Sequence, residues 1–265
     1  MKSVLTTDIN VSLVQYCPRW EDAAHNLARL TAMLQPLSGA TDVIVLPEMF
    51  PTGFSMNVER VGRNEADGMA WMRQQAKATG AVVAGSMAAT ENDRCYNRFY
   101  WVTPNGDVVY YDKRHLFGMS DEGQVFAAGV KMCRFHVKGW EVCPIVCYDL
   151  RFPAWCRNTR IRPYDLLVCP ASWPSVRRDV WTTLLKARAL ENQCYVAGVN
   201  RVGKDGNGLA HSGGSAVFGP KGEIVGQAPD DEEAAVTFRL SSEELYRFRQ
   251  KFPVLHDADS ITVCA

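Results

Sequence analysis

Short apolar runs alternate along the chain with longer stretches in which apolar residues return every third or fourth position. The first pattern suits interior strands and the second suits helices with one buried face, so the whole predicts helices covering sheet. A first helix is predicted behind Pro18 and the acidic pair Glu21 and Asp22, with Ala23, Leu27, Leu30 and Leu34 on one face. Val43-Ile44-Val45-Leu46 reads as a strand. A second helix places Met69, Met72 and Ala76 on one side and stops at Gly80, after which Ala81 to Ala84 reads as a buried strand. A third runs from about Asp179 to Asn192 on the spacing of Trp181, Leu184, Leu185 and Arg188, and Tyr195 to Val199 returns as a strand. The segment Glu243 to Arg249 reads as a solvated helix face, with docking onto a second subunit as the alternative.

Two segments repeat one design: Tyr100 to Val109 and Ala216 to Val225 are each a strand, a Pro-x-Gly turn and a returning strand. The repetition points to two sheets of related construction packed in one domain over residues 1–265, since no linker or low-complexity tract interrupts the chain. Lys plus Arg number 29 and so do Asp plus Glu, which argues against a nucleic-acid partner because phosphate neutralisation needs a cationic excess. The longest stretch without a charged residue, Gly206 to Pro220, is rich in Gly and Ser and falls short of the roughly 18 residues that span a bilayer. No membrane association is expected. Met1 to Asp8 has one positive charge and no apolar core of leader length, so the protein is expected in the cytoplasm. The 9 cysteines include no Cys-x-x-Cys pair, which predicts reduced thiols and no structural metal.

Three reactive side chains follow strand-like runs: Glu48 after Val43 to Pro47, Lys113 after Val108 to Tyr111, and Cys147 after Val142 to Val146. Strand ends are where sites gather in sheet proteins. A carboxylate can take a thiol's proton, and an ammonium favours the nucleophilic thiolate, so the trio offers a base, a cation and a nucleophile. The alternative is a buried structural Cys147 with Glu48 and Lys113 as surface charges. No Gly-x-Ser-x-Gly elbow, dinucleotide glycine fingerprint or His-Glu-x-x-His helix competes with the trio.

Pro47-Glu48-Met49-Phe50, Asp112-Lys113-Arg114-His115-Leu116-Phe117 and Cys147-Tyr148-Asp149-Leu150-Arg151-Phe152-Pro153 together resemble the signature blocks of the nitrilase superfamily, the carbon–nitrogen hydrolases. The resemblance extends through Asp165 to Val168, Pro170 to Pro174, Ala187 to Asn192 and His211 to Ser215. It implies an α/β fold built as a four-layer α-β-β-α sandwich that assembles into homodimers or larger homo-oligomers. Glu48 is then the general base, Cys147 the nucleophile and Lys113 the cation at the oxyanion, with the Tyr148 backbone N–H as second oxyanion donor. A further glutamate that many relatives carry between the lysine and cysteine blocks would be Glu122. The implied reaction is thiolate attack on a small amide, loss of ammonia from a thioester, and hydrolysis by water, with neither metal nor organic cofactor.

Cys147-Tyr148-Asp149 differs from the Cys-Trp-Glu of nitrile-cleaving members, whereas Leu150-Arg151-Phe152-Pro153 and Phe248 to Pro253 resemble the ω-amidase branch. Members of that branch deamidate dicarboxylate monoamides such as 2-oxoglutaramate and succinamate. The alternatives are an N-carbamoyl amidase or other small aliphatic amide hydrolase with the same trio, a non-catalytic scaffold relative, and a thiol redox protein using Cys143 and Cys147. Arg151 is the first suspect for a substrate carboxylate, although an ion pair with Asp149 is the favoured expectation. Phe117 and Trp173 either wall a narrow pocket or belong to the core. His115 is expected to be structural, and His211 falls in a loop before a strand with nothing to recommend it.

Overall fold

The computed structural model describes residues 7–259, so the beginning of the Met1 to Asp8 segment and Cys264 lie outside the described residues. The strands are β1 (Ile9–Gln15), β2 (Val43–Val45), β3 (Val82–Glu91), β4 (Arg94–Val102), β5 (Val108–Asp112), β6 (Phe135–Val137), β7 (Trp140–Pro144), β8 (Leu166–Ala171), β9 (Tyr195–Asn200), β10 (Val202–Lys204), β11 (Ala210–Ser212), β12 (Ala216–Phe218), β13 (Ile224–Gln227) and β14 (Ala234–Leu240). The α-helices are α1 (Ala23–Leu34), α2 (Val58–Val61), α3 (Glu65–Thr79), α4 (Glu122–Val125), α5 (Arg178–Asn192) and α6 (Ser242–Lys251).

Two sheets of 6 strands carry the fold, in the orders β14-β1-β2-β3-β4-β5 and β13-β12-β9-β8-β7-β6. Each has a parallel triplet at its centre, β1-β2-β3 in one and β7-β8-β9 in the other. In each the triplet is flanked by an antiparallel edge strand on one side and a hairpin on the other. The hairpins are the two repeated segments, and they occupy equivalent places. Gly106 (φ +87°) and Gly222 (φ +78°) take the left-handed turn position in each, where any residue with a Cβ is strained.

Side chains along a strand alternate between faces, and here both faces are apolar because both are covered. Val11, Leu13, Val43, Val45, Val82 and Ala84 face the second sheet in one core with Val142, Leu166 and Val168. Ile44, Leu46, Val83, Tyr100 and Val102 face outward onto Leu30 and Leu34 of α1 and Trp71, Met72 and Ala76 of α3. The result is an α-β-β-α sandwich. The predicted helices form where the periodicity placed them. Asp22 caps α1 by accepting from the His25 backbone N–H at 3.1 Å, and Gly80 (φ +71°) ends α3. On the far side α5 presses so closely on β9 that a Cβ on Gly198 would lie 2.4 Å from Leu185 Cδ1.

Helix α6 is solvated over most of its surface, yet it buries Leu245 in the core of its own chain. Arg249 anchors it, donating to Asp165 Oδ1 at 2.7 Å and to the Gln193 carbonyl at 2.8 Å. Among the described residues no helix is long and apolar enough to cross a membrane.

Candidate active site

Glu48 leaves the end of β2, Lys113 the end of β5, and Cys147 the loop that follows β7. These strand ends come together between the sheets. Lys113 Nζ donates to Glu48 Oε1 at 2.8 Å and to both oxygens of Glu122 at 2.8 and 2.9 Å. Asn97, inside β4, donates through Nδ2 to Glu48 Oε1 at 2.8 Å and Glu122 Oε1 at 3.2 Å. The remaining Glu48 oxygen accepts the Ser172 backbone N–H at 2.9 Å, and Glu122 Oε2 accepts that of Phe117 at 2.6 Å. Glu48 and Ser172 follow β2 and β8, equivalent strands of the two sheets, so the sandwich itself holds the carboxylate from both sides.

Burial of this cluster is nearly complete: Glu48 and Lys113 are 1% exposed and Glu122 0%. Burial works against the Lys113 ammonium, but Glu122 and Glu48 outweigh it and hold the proton more tightly than on an ordinary lysine. Burial raises the Glu122 carboxyl above its usual range, with Lys113 pulling it down and Glu48 pushing it up. Burial and then the Glu48 charge push the Cys147 thiol well above its ordinary value, against the pull of Lys113. With the thiol protonated, two carboxylates face one ammonium, so the cluster holds one negative charge in excess. A proton passed from Cys147 to Glu48 leaves that total unchanged, whereas one lost to water would add a second buried negative charge.

Cys147 opens a single 3₁₀ turn over Cys147–Arg151 and sits in the left-handed region at φ +46°, a costly conformation for a side chain with a Cβ. Asp149 holds it there. Its Oδ2 accepts the Val146 N–H at 3.0 Å and the Tyr111 hydroxyl at 2.8 Å, while its Oδ1 accepts the His115 backbone N–H and the ring Nδ1, each at 2.8 Å. His115 is thus a structural hydrogen-bonding residue, stacked on Phe152 at 3.8 Å between centroids. The expected Arg151–Asp149 ion pair does not form. Tyr111, His115 and Val146 occupy the Asp149 carboxylate, and Arg151 turns away to lie 5.1 Å over the Trp173 ring.

Cys147 and Lys113 open onto a cleft of about 170 Å³. Phe117 and Trp173 both line it, Phe117 edge-on to Tyr148 at 5.1 Å, so these aromatics form walls of the pocket. The Tyr148 backbone N–H lies at the start of the 3₁₀ turn, where helical N–H groups have no partner within the turn.

Of two polar residues beside the cluster, Asn97 went unread in the sequence and His211 was expected in a loop with nothing to recommend it. Asn97 gives only the weak signal of an amide inside a strand. His211 lies in β11 of a small two-stranded ribbon with β10 and is 3% exposed on the cleft wall. Its Nδ1 is 3.0 Å from the Leu209 carbonyl, which can only accept, so Nε2 carries the lone pair, 3.4 Å from Ser172 Oγ. Burial, with Arg201 adding repulsion, lowers its pKa to about 4. Cys143 and Cys147 are both free thiols, and Cys143 Sγ lies instead against Arg134 and Met132. Among the described residues no group of three or more His, Cys, Asp or Glu side chains is arranged to hold a metal ion.

A buried Glu-Lys-Glu cluster behind a strained cysteine, set between the sheets of an α-β-β-α sandwich, defines a hydrolase class, and a profile of the carbon-nitrogen hydrolase family matches residues 10–250. The chain belongs to that family. It is 43% identical over 251 residues to omega-amidase YafV of Escherichia coli, covering 95% of this chain and 97% of the relative. It is 31% identical to the 2-oxoglutaramate amidase of Bacillus subtilis, covering 93% and 96% respectively. A CN-hydrolase superfamily protein from Xanthomonas campestris, solved with an arsenic adduct in its active site, superposes with a TM-score of 0.95 at 42% identity, covering 98% of this chain and 100% of that one.

Proposed function

We propose that the protein hydrolyses small carboxylate-bearing amides, of the 2-oxoglutaramate or succinamate type, to the acid and ammonia through a thioester on Cys147. The observation that carries this reading is the buried Lys113 joined to Glu48 and Glu122 at the floor of a cleft that also exposes the Cys147 thiol. The names of the Escherichia coli and Bacillus subtilis relatives support the substrate class.

In this mechanism Glu48 takes the Sγ proton as sulfur attacks the amide carbon. The Lys113 ammonium and the Tyr148 N–H receive the developing oxyanion. Glu48 then returns the proton to the departing nitrogen, ammonia leaves, and a thioester remains. Water enters, gives a proton to Glu48 and attacks the acyl carbon, and collapse of the second tetrahedral intermediate frees the acid and restores the thiol. Glu122 keeps Lys113 charged and in place. The same reading places the protein in the cytoplasm, in keeping with the free thiols of the described cysteines, and as a homodimer or larger assembly, in keeping with the exposed Tyr246 and Phe252 at α6.

The test is ammonia release from 2-oxoglutaramate, succinamate, N-carbamoyl-β-alanine, butyramide and a nitrile, beside Cys147→Ala. Preference for the dicarboxylate monoamides, lost in the variant, is expected. Carbon dioxide appearing with ammonia from the carbamoyl compound as best substrate would replace the reading with a carbamoylase.

A further inference from the structure

We infer that His211 is a positioning residue: it fixes the Ser172 hydroxyl as a hydrogen-bond acceptor at the departing nitrogen and so favours amides over esters of the same acid. The inference rests on the amide-hydrolase reading above. A nitrogen that takes a proton from Glu48 must turn its lone pair to that proton, which points its N–H groups elsewhere. Those groups need an acceptor. An alcohol leaving group has no N–H and gains nothing from one.

The two oxygens of Glu48 are not equivalent. Oε1 accepts from Lys113 Nζ and from the Asn97 amide, each at 2.8 Å, whereas Oε2 meets only the Ser172 backbone N–H, at 2.9 Å, among the described residues. The same N–H favours the Cys147 thiolate, so Ser172 stands at the sulfur and at the less occupied carboxylate oxygen together. Oε2 is therefore the oxygen that takes the thiol proton. It hands that proton to nitrogen as the C–N bond breaks, and the electron pair of the bond leaves with ammonia. Ser172, 9% exposed, lines the cleft beside this path.

A serine hydroxyl rotates, and can either donate or accept. As a donor it would compete with the Glu48 proton for the nitrogen lone pair. His211 removes that choice. Its Nδ1 proton is held by the Leu209 carbonyl at 3.0 Å, so Nε2 meets Ser172 Oγ at 3.4 Å as an acceptor, and burial keeps the ring neutral near pH 7. The hydroxyl proton goes to Nε2, and Oγ keeps its lone pairs for the cleft. Asn200 fixes the two residues relative to each other. It accepts the Trp173 N–H at 2.8 Å and donates through Nδ2 to the Trp173 carbonyl at 2.9 Å and the Gly213 carbonyl at 2.8 Å. One buried amide thus ties the segment that follows β8 to the loop that follows β11.

The test compares kcat/KM for an amide that the wild type cleaves, succinamate in the first instance, with kcat/KM for the methyl ester of the same acid, both read as acid formed. Both substrates give the same thioester, and kcat/KM covers only the steps up to it, so the ratio isolates the leaving group. The amide-to-ester ratio is expected to fall by at least about 10-fold in Ser172→Ala and at least about 5-fold in His211→Phe, because a hydrogen bond made at the departing nitrogen is lost. His211→Leu replaces His211→Phe where that variant does not fold. His211→Gln, whose side-chain carbonyl can accept the same hydroxyl, should keep the ratio within about twofold of wild type. A ratio within about twofold of wild type in Ser172→Ala or in His211→Phe overturns the inference, even where both substrates slow together, since a merely structural loss slows them alike. A His211→Gln ratio as low as that of His211→Phe overturns the acceptor role of the ring. A wild type that releases no ammonia from any amide overturns the hydrolase reading itself.

Discussion

Replacing Glu48 by glutamine should stop turnover and at the same time make Cys147 easier to ionise. Both effects come from one carboxylate. In the proposed mechanism Glu48 takes the thiol proton, and loss of a positioned base costs on the order of 10²–10⁴ in rate. It is also the nearest cause, after burial, of the raised thiol pKa. Two like charges about 5 Å apart at an effective dielectric of about 20 repel by roughly 3 kcal/mol, which is about two pK units. Glutamine removes that repulsion while Lys113 remains. Its single oxygen also serves fewer of the three donors that converge on Glu48, namely Lys113, Asn97 and the Ser172 N–H, at a stability loss of about 1–3 kcal/mol. The assay is the rate of iodoacetamide capture at Cys147 against pH, read by peptide mass spectrometry so that the other thiols do not interfere, beside kcat on succinamate. The alkylation midpoint should move down by about one to two units in Glu48→Gln as kcat falls by at least about 10²-fold. An unchanged or higher midpoint, or substantial residual turnover, would refute the assigned role of Glu48.

Lys113→Met strands two buried carboxylates and should cost about 3 kcal/mol near pH 7. Because their folded pKa values then exceed the unfolded ones, denaturant titrations should show the variant recovering stability as pH falls, and a pH-independent loss would contradict the pairing. Gly198→Ala drives a Cβ to within 2.4 Å of Leu185 Cδ1 and 2.8 Å of Trp181 Cζ2, an overpacking of about 1–3 kcal/mol that should lower Tm by several degrees, and an unchanged Tm would refute the close approach. Burial holds the His211 pKa at about 4 in the folded protein against 6.5 for an ordinary histidine, so between these values the unfolded chain binds more protons and stability is lost as the pH is lowered, by at most about 3 kcal/mol. His211→Asn should flatten that slope in thermal melts, and an identical slope would show that another group causes it.

The parts of the fold readable in advance were those with a local period. Val43 to Leu46 alternate between two buried faces, Ala23 to Leu34 repeat at helical spacing, and Gly80, Gly106 and Gly222 mark left-handed stops and turns. Pairings without a local signal stayed hidden: β14 joins β1 across the whole chain, with Ser12 and Thr237 hydroxyls 2.7 Å apart. The site divides the same way. Glu48, Lys113 and Cys147 stand out because reactive groups follow apolar runs, and Glu122 because of a family pattern, whereas Asn97 reaches the cluster only through the register of β4 with β3 and β5. Arg151 misled by proximity, since residues two apart on a helical turn do not face each other. His211 sits in a strand of 3 residues, too short for any period to appear.

The central claim, a covalent acyl group on Cys147, is tested most directly by acid-quenching the enzyme during turnover of succinamate and locating the added mass by peptide mapping. A succinyl group on the Cys147 peptide that disappears with hydroxylamine is the predicted result. Full turnover with no adduct at Cys147, or with the same rate in Cys147→Ala, would contradict it.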